Sequence, residues 1–404
     1  MQSSRVVPAA LALALLTSSV AVPPARAADS GPVKIALITD MSGVYAALAG
    51  PGAVEAVNMA VEDFGGKVLG RQIVVDTVDH RNQGPLAAEK AREEYDGGAD
   101  LALDMTNSAT ALAVAAVAKE KHKLAIVTGA ATAALTGLSC DKYTYHYAYD
   151  TYALAHSTGS YITEHGGKTW YGIVPDYAFG AAMLTDFTAA VEASGGSFVH
   201  ADKMPLGTTD FSSYMIAAKA AKPQVLGLLN AGADTVNSMK AAKQFGLDKE
   251  MKIAVGLLFL SDVDALPAVF AGSRITTSWY WNEDKPARAW ADRWSKRMHG
   301  LRPTDIQAAD YSATWQWLSA VKATGTTDAD TIQKYLDGRK FSDFYAHNGE
   351  WRARDHRVLH DMYVVDVLSQ SEIKEPHAWF QILQTIPGSR AFRPESASTC
   401  NKDW

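Results

Sequence analysis

Cysteine is almost missing from this sequence: two residues, Cys140 and Cys400, in a chain of 404. That scarcity excludes a small scaffold held by many disulfides and a zinc site built from paired cysteines. Catalytic signatures are missing too. There is no Gly-x-Ser-x-Gly elbow, no His-Glu-x-x-His pair, no Gly-rich dinucleotide fingerprint and no phosphate loop ending in Lys-Ser/Thr. The expectation is therefore a protein that is not an enzyme and needs no cofactor. Lysine-rich runs are absent and the formal net charge is -6. An acidic surface of this kind argues against nucleic acid or an anionic membrane as partner.

The first 27 residues differ from the rest. A single early charge, Arg5, precedes an apolar run over 6–22, and Ala25-Arg26-Ala27 then stands before Ala28. This pattern reads as a secretory signal peptide, residues 1–27, cut after Ala27. The run is broken by Pro8, Thr17, Ser18 and Ser19, and is short for the roughly 20 residues that a membrane span needs. No cysteine stands near the cut, so a lipid anchor is not expected. Removing the segment deletes two arginines and no acid, which takes the net charge to -8. In an oxidising compartment the even cysteine count favours one disulfide, Cys140 to Cys400, tying down a C-terminal tail over 369–404; two free thiols are the alternative.

The remaining chain, about 377 residues, is long for one domain. Short β-branched runs alternate with longer Ala-rich segments of helical period. The runs predict strands over 33–39, 72–78, 101–105, 124–128, 170–174, 197–201, 225–229 and 252–256. Helices are predicted over 52–64, 85–95, 109–121, 152–164, 178–193, 211–221 and 235–245. Continuous apolar strands, each followed by a helix, indicate parallel sheets covered on both faces. The alternation occurs twice, before residue 150 and after residue 169, which predicts two doubly wound α/β lobes. In such sheets ligands bind beyond the carboxyl ends of the strands. Function should therefore be sought in the loops 40–52, 106–109, 129–136, 175–180, 230–233 and 257–262. Trp290, Trp294, Tyr311, Trp315 and Leu318, at helical spacing, read as core.

Several segments together resemble a known family. Lys34-Ile35-Ala36-Leu37-Ile38-Thr39-Asp40-Met41-Ser42-Gly43 leads to a helix ending Glu62-Asp63-Phe64-Gly65-Gly66. Asn107-Ser108, Gly129-Ala130-Ala131-Thr132, Asp176-Tyr177-Ala178-Phe179-Gly180, Asp210-Phe211-Ser212-Ser213 and Asn348-Gly349-Glu350-Trp351-Arg352 follow in order. The set resembles the type I periplasmic solute-binding proteins of the branched-chain amino acid ABC transporter class, over about residues 33–368. The resemblance implies two lobes joined by a hinge of three crossovers, lobe one holding 28–148 plus 277–340 and lobe two 149–276 plus 341–368. It further implies a small-molecule ligand in the cleft, and docking of the closed form on ABC transporter permease subunits.

It also implies roles for residues. Ser108, with Asn107 at the start of a helix, matches the loop that receives a ligand carboxylate; amide hydrogens and a hydroxyl there suit an anion. Plain capping by these residues is the alternative. Ala130 and Thr132 match positions that hold an amino acid's ammonium group. The acidic third partner of that group is missing, because the matching loop reads Gly256-Leu257-Leu258-Phe259-Leu260, unless Asp262 or Asp264 substitutes. An uncompensated buried ammonium is costly, so a plain amino acid is disfavoured. Aromatic residues in the cleft loops, Tyr45, Tyr149, Tyr152, Tyr177, Phe179, Phe259 and Tyr280, favour an aromatic or apolar acid. Tyr149-Asp150-Thr151-Tyr152 and Asn230-Ala231-Gly232-Ala233-Asp234 resemble the aromatic-acid branch. The binding set is then Tyr45, Asn107, Ser108, Ala130, Thr132, Tyr152, Phe179, Asn230 and Phe259, with no metal. His356 and His360, four apart, are read as a solvated turn, and Asp79-His80 as a polar loop. A ligand-sensing module of the same fold is the alternative function.

Overall fold

The computed structural model describes residues 1–5, 31–402 and 404. The chain forms two compact units, Met1–Gly31 and Pro32–Trp404. In the first, residues 1–5 are exposed and carry no regular structure; the apolar run and the expected cut after Ala27 lie outside the described residues. Among the described residues no helix is long and apolar enough to cross a membrane.

The second unit contains two parallel sheets and two small antiparallel ones. The first sheet takes β1 (Val33–Thr39), the hairpin β2 (Lys67–Val68) and β3 (Arg71–Asp79), then β4 (Leu101–Asp104), β5 (Leu124–Val127) and β6 (Thr144–His146), in the order β2-β3-β1-β4-β5-β6. All pairings except the β2–β3 hairpin are parallel. The second sheet holds β7 (Thr169–Pro175), β8 (Ser197–Met204), β9 (Val225–Leu228) and β10 (Lys252–Val255), all parallel, in the order β10-β9-β7-β8. Strands β4, β5 and β9 are buried at every residue. Helices on both faces require such continuous apolar runs, so these strands form where the sequence predicts them.

In each sheet the chain order reverses about one strand: β1 lies between β3 and β4, and β7 between β8 and β9. These are the switch points at which loops diverge and leave a crevice.

The remaining strands are β11 (Arg274–Thr277), β12 (Lys340–Phe341), β13 (Gly349–Trp351), β14 (Val358–Leu359), β15 (Met362–Val367) and β16 (Phe380–Ile386). They form two antiparallel sheets, β11-β15-β16 and β12-β13-β14. Strand β11 is tied to the helical segment 151–164, because Thr276 Oγ1 donates to Ser157 Oγ at 2.7 Å. That segment contains a π turn at Ala155–Gly159. Helix Asp305–Thr324 packs beside helix Gly50–Asp63, with Thr304 Oγ1 donating to the Leu48 carbonyl at 2.6 Å and Tyr311 to Asp63 at 2.6 Å. Trp290, Trp294, Tyr311 and Leu318 are buried, and Trp315 is partly so, as their spacing suggested.

The segment over 349–358 contacts the edge of the first sheet. The His146 amide donates to the His356 carbonyl at 3.0 Å, and Tyr145 packs on Trp351 and His356. His356 and His360 are not the solvated turn expected; both are fully buried. His360 reaches the Ala148 carbonyl through Nε2, while His356 lies between the Tyr145 ring and Asp337. Cys140 and Cys400 are joined by a disulfide.

Candidate functional site

The site begins at the end of β4. Asp104 and Met105 take left-handed backbone angles, φ 80° and 54°, a conformation that costs a non-glycine residue roughly 1–2 kcal/mol. It is held by the Met105 amide donating to the Ile38 carbonyl at 2.8 Å and by the Thr128 amide donating to the Asp104 carbonyl at 3.2 Å. The turn delivers Thr106, Asn107 and Ser108 to the start of helix Ser108–Lys121. Asn107 caps that helix, its Oδ1 accepting from the amides of Ala109 and Thr110. Ser108 Oγ accepts from the Thr132 amide at 3.2 Å, so its own hydrogen is available to a further acceptor.

Here the loops close around a narrow cavity that is partly open to solvent. Its wall draws on every loop singled out beyond a strand, and on the 147–150 segment that leads from the first sheet to the second. Its lining combines the polar groups of Thr106, Asn107 and Ser108 and the backbone of Gly129, Ala130 and Ala131 with five rings, those of Tyr45, Tyr149, Tyr177, Phe179 and Phe259. Among the described residues no charged side chain lines it.

The two halves meet over this cavity. The hydroxyls of Tyr45, after β1, and Tyr177, after β7, are hydrogen-bonded at 2.6 Å. The Val44 carbonyl accepts from the Ala233 amide at 3.4 Å. Between them Gly232, at φ 61°, has no room for a side chain: a Cβ would stand 2.7 Å from that carbonyl.

Six of the nine expected ligand residues line the cavity: Tyr45, Asn107, Ser108, Ala130, Phe179 and Phe259. Three are placed elsewhere. Thr132 lies just behind the wall, its hydroxyl accepting from the Ala134 amide as the cap of a short 3-10 turn. Tyr152 points away, stacked on His156 and covered by the Arg393 guanidinium 4.4 Å from its ring. Asn230 is wholly buried and serves its own loop, donating to Ser238 Oγ at 3.1 Å and accepting from Thr235 Oγ1 at 3.0 Å. Tyr280 packs on Trp281 and Phe380, off the wall. Leu48, Thr106, Gly129, Ala131, Ala231 and Leu257 join the wall without having been singled out; their position just after strand ends was the available signal.

Acids lie behind the wall and not on it. Burial pushes Asp104 up to about 7, against a hydrogen bond from Thr106. Asp310 is raised further, by burial and then by the charge of Asp104. Each carboxyl gives one oxygen to a threonine, Thr106 and Thr128 respectively, and among the described residues the other oxygen of each has no donor. Asp262, also raised to about 7 by burial, accepts from the Phe259 amide at 3.0 Å. Asp264 accepts from His377 and Trp379. Neither substitutes for the missing ammonium partner. The Ala130 carbonyl already faces a donor, His146 Nε2 at 2.7 Å, and burial keeps that imidazole neutral. The Asp79-His80 pair is structural: Asp79 accepts from Met41 and Ser42, and His80, lowered to about 4 by burial, accepts from the Asn82 amide.

Two α/β halves, each opening at its switch point onto one uncharged cavity that both close over, define a two-lobed binding protein. The chain belongs to the periplasmic binding protein family, whose model matches residues 32–372. It is similar to a crystallised periplasmic binding protein from Burkholderia mallei, at 48% identity and a TM-score of 0.90, covering 92% of this chain and 98% of that one. A branched-chain amino acid ABC transporter periplasmic ligand-binding protein from Burkholderia xenovorans is similar at 36% identity and TM-score 0.80, over 91% and 99% of the two chains. A benzoate complex of a solute-binding protein from R. palustris shares the fold, at 19% identity and TM-score 0.80, over 92% and 100%. Among curated proteins, a Leu/Ile/Val-binding protein homolog from Brucella melitensis is 27% identical, but the match spans only 55% of this chain and 57% of that relative.

Proposed function

We propose that this chain is the periplasmic substrate-binding component of an ABC importer, and that it captures a small organic carboxylate, aromatic or apolar. The observation that carries the reading is the cavity wall: uncharged polar groups at the start of helix Ser108–Lys121, five rings, and no acid among the described residues that line it. Hydrogen bonds from neutral donors to a charged group are worth about 1.5–3 kcal/mol each, enough to hold a carboxylate at the start of helix Ser108–Lys121. An ammonium group has no carboxylate to meet there, which disfavours leucine, isoleucine and valine.

Ligand contacts with both walls stabilise the closed arrangement and shift the population toward it. That closed form is the one a membrane permease would recognise. Lobe one, in this reading, takes the first sheet with helices over 285–336, and lobe two the second sheet with β11, β15 and β16. The N-terminal 27 residues direct export and are removed.

A thermal-shift panel of benzoate and substituted benzoates, aliphatic acids and branched-chain amino acids tests the ligand class, since a ligand that prefers the native state raises its melting temperature. The aromatic acids should give the largest shifts, and Ser108→Ala should reduce them in a protein that still folds, with some loss of melting temperature from the unpaired Thr132 amide. Larger shifts with leucine, isoleucine or valine would overturn the assignment.

A further inference from the structure

The C-terminal tail makes a connection between the halves that the hinge segments do not account for. Strand β16 lies in the sheet tied through β11 to the second half, yet the tail that follows ends on the first. Cys400 is bonded to Cys140, in the loop between β5 and β6. Thr399 closes on the same loop, its Oγ1 2.7 Å from where a Cβ on Gly137 would stand.

Between those ends the tail is held at each step. Phe392, buried, lies 3.9 Å from the Arg357 guanidinium, which itself donates to the Tyr147 carbonyl in the 147–150 segment. Arg393 donates to Asp186 Oδ1 at 3.1 Å, on helix Ala178–Ala193 of the second half. Asp186 Oδ2 accepts from Thr151 Oγ1 at 2.6 Å, at the exit of the same segment. The Arg393 carbonyl in turn accepts from Arg352 Nη1, and the Cys400 carbonyl from Arg354 Nη2, each at 2.9 Å. Both arginines belong to the segment packed on the first sheet.

We propose that residues 392–400 form a strap across the hinge, covalently anchored on one lobe and ion-paired to the other, which limits how far the lobes open. The strap rests on the lobes moving as proposed above, and not on which ligand they take. Six residues lie between Arg393 and Cys400, so with Cys400 fixed the Arg393 end can travel only as far as that short chain uncoils. Opening beyond that point requires Arg393 to leave Asp186. The disulfide therefore sets the reach and the ion pair the resistance. Loss of either frees the open state to widen, and exchange of bound ligand becomes faster.

Two variants separate these contributions. Cys140→Ser with Cys400→Ser removes the anchor, and Arg393→Ala removes the clamp while keeping the disulfide, should the first variant fold poorly. Small-angle X-ray scattering of the ligand-free full chain reads the opening directly. Both variants should show a larger radius of gyration than the parent protein, and Arg393→Lys should lie between. With benzoate as the probe, stopped-flow release should be about 1.4- to fivefold faster in Arg393→Ala, the range expected for an ion pair of about 0.2–1 kcal/mol. Equal radii in all four ligand-free proteins would overturn the strap, whatever the panel says of the ligand. If the radii differ but benzoate does not bind, the strap stands and the ligand class falls.

Discussion

The hydrogen bond between Tyr45 and Tyr177 can be tested by removing single oxygen atoms. Tyr45→Phe keeps the ring that lines the cavity and deletes only the hydroxyl that reaches across it. Tyr45 is 3% exposed, and the bond is 2.6 Å long. Deleting one partner leaves the other hydroxyl poorly satisfied in the closed form, at a cost of about 1–3 kcal/mol, while the open form lets water replace it. Tyr177 is only partly buried, so the lower half of that range applies. The apparent dissociation constant should then rise roughly 5- to 30-fold, because a cost confined to the closed state passes directly into affinity. Tyr177→Phe should do the same. In the double variant no hydroxyl is stranded, so its loss should be no greater than that of either single change. Isothermal titration with the tightest acid of the panel, run as a double-mutant cycle, measures this coupling. Strictly additive losses, or unchanged affinity in Tyr45→Phe, would refute the idea that these two groups lock the lobes.

Two other predictions concern what lies behind the wall. Asp104 is raised to about 7 in the folded chain from an ordinary 3.8, so its contribution is fully present below pH 4 and is lost as pH rises through 7. We expect it to share one proton with Asp310. Asp104→Asn should therefore flatten the fall in melting temperature between pH 5 and 8 relative to the parent; an unchanged slope would show that the pair does not titrate there. Comparison with the parent is needed because His80 and His360, both lowered to about 4 by burial, act with the opposite sign between pH 4 and 6.5. Asn230→Ala should lower stability by about 1–3 kcal/mol, from buried hydrogen bonds left unmade, while affinity measured well below the melting temperature stays unchanged. A lost affinity at full stability would return Asn230 to the binding set.

The sequence made the frame visible where burial was continuous. Val33–Thr39 and Val225–Leu228 are apolar because helices cover both faces, and the loops beyond them followed from the switch-point rule. Strands with mixed environments were harder to see. Thr144–His146 carries two polar residues in three, and Phe380–Ile386 is mostly solvent-facing at the edge of a small sheet. Within the site, loop membership was legible but side-chain direction was not. Asn230 turns inward because Thr235 and Ser238 follow at helical distance, and Tyr152 turns outward because His156, one turn on, stacks on it. Both partners were in plain view, yet only the path of the helix decides which way each residue faces. The tail was expected to be pinned by the disulfide; its route across both halves depends on Arg352, Arg354 and Arg393, whose partners lie far away in the chain.

The wide turn at Ala155–Gly159 amounts to one extra residue carried inside a helix. Ser157 Oγ covers the loosened backbone, donating to the carbonyls of Ala153 and Leu154. Deleting a residue there would restore ordinary winding, but it would also swing everything upstream by about 100° around the axis, the angle one residue subtends. Thr151 would then leave Asp186 while Gly159 kept its seat against Phe187. The irregularity thus acts as a phase correction: it lets a chain arriving from one half and a helix already committed to the other be spliced without twisting the joint.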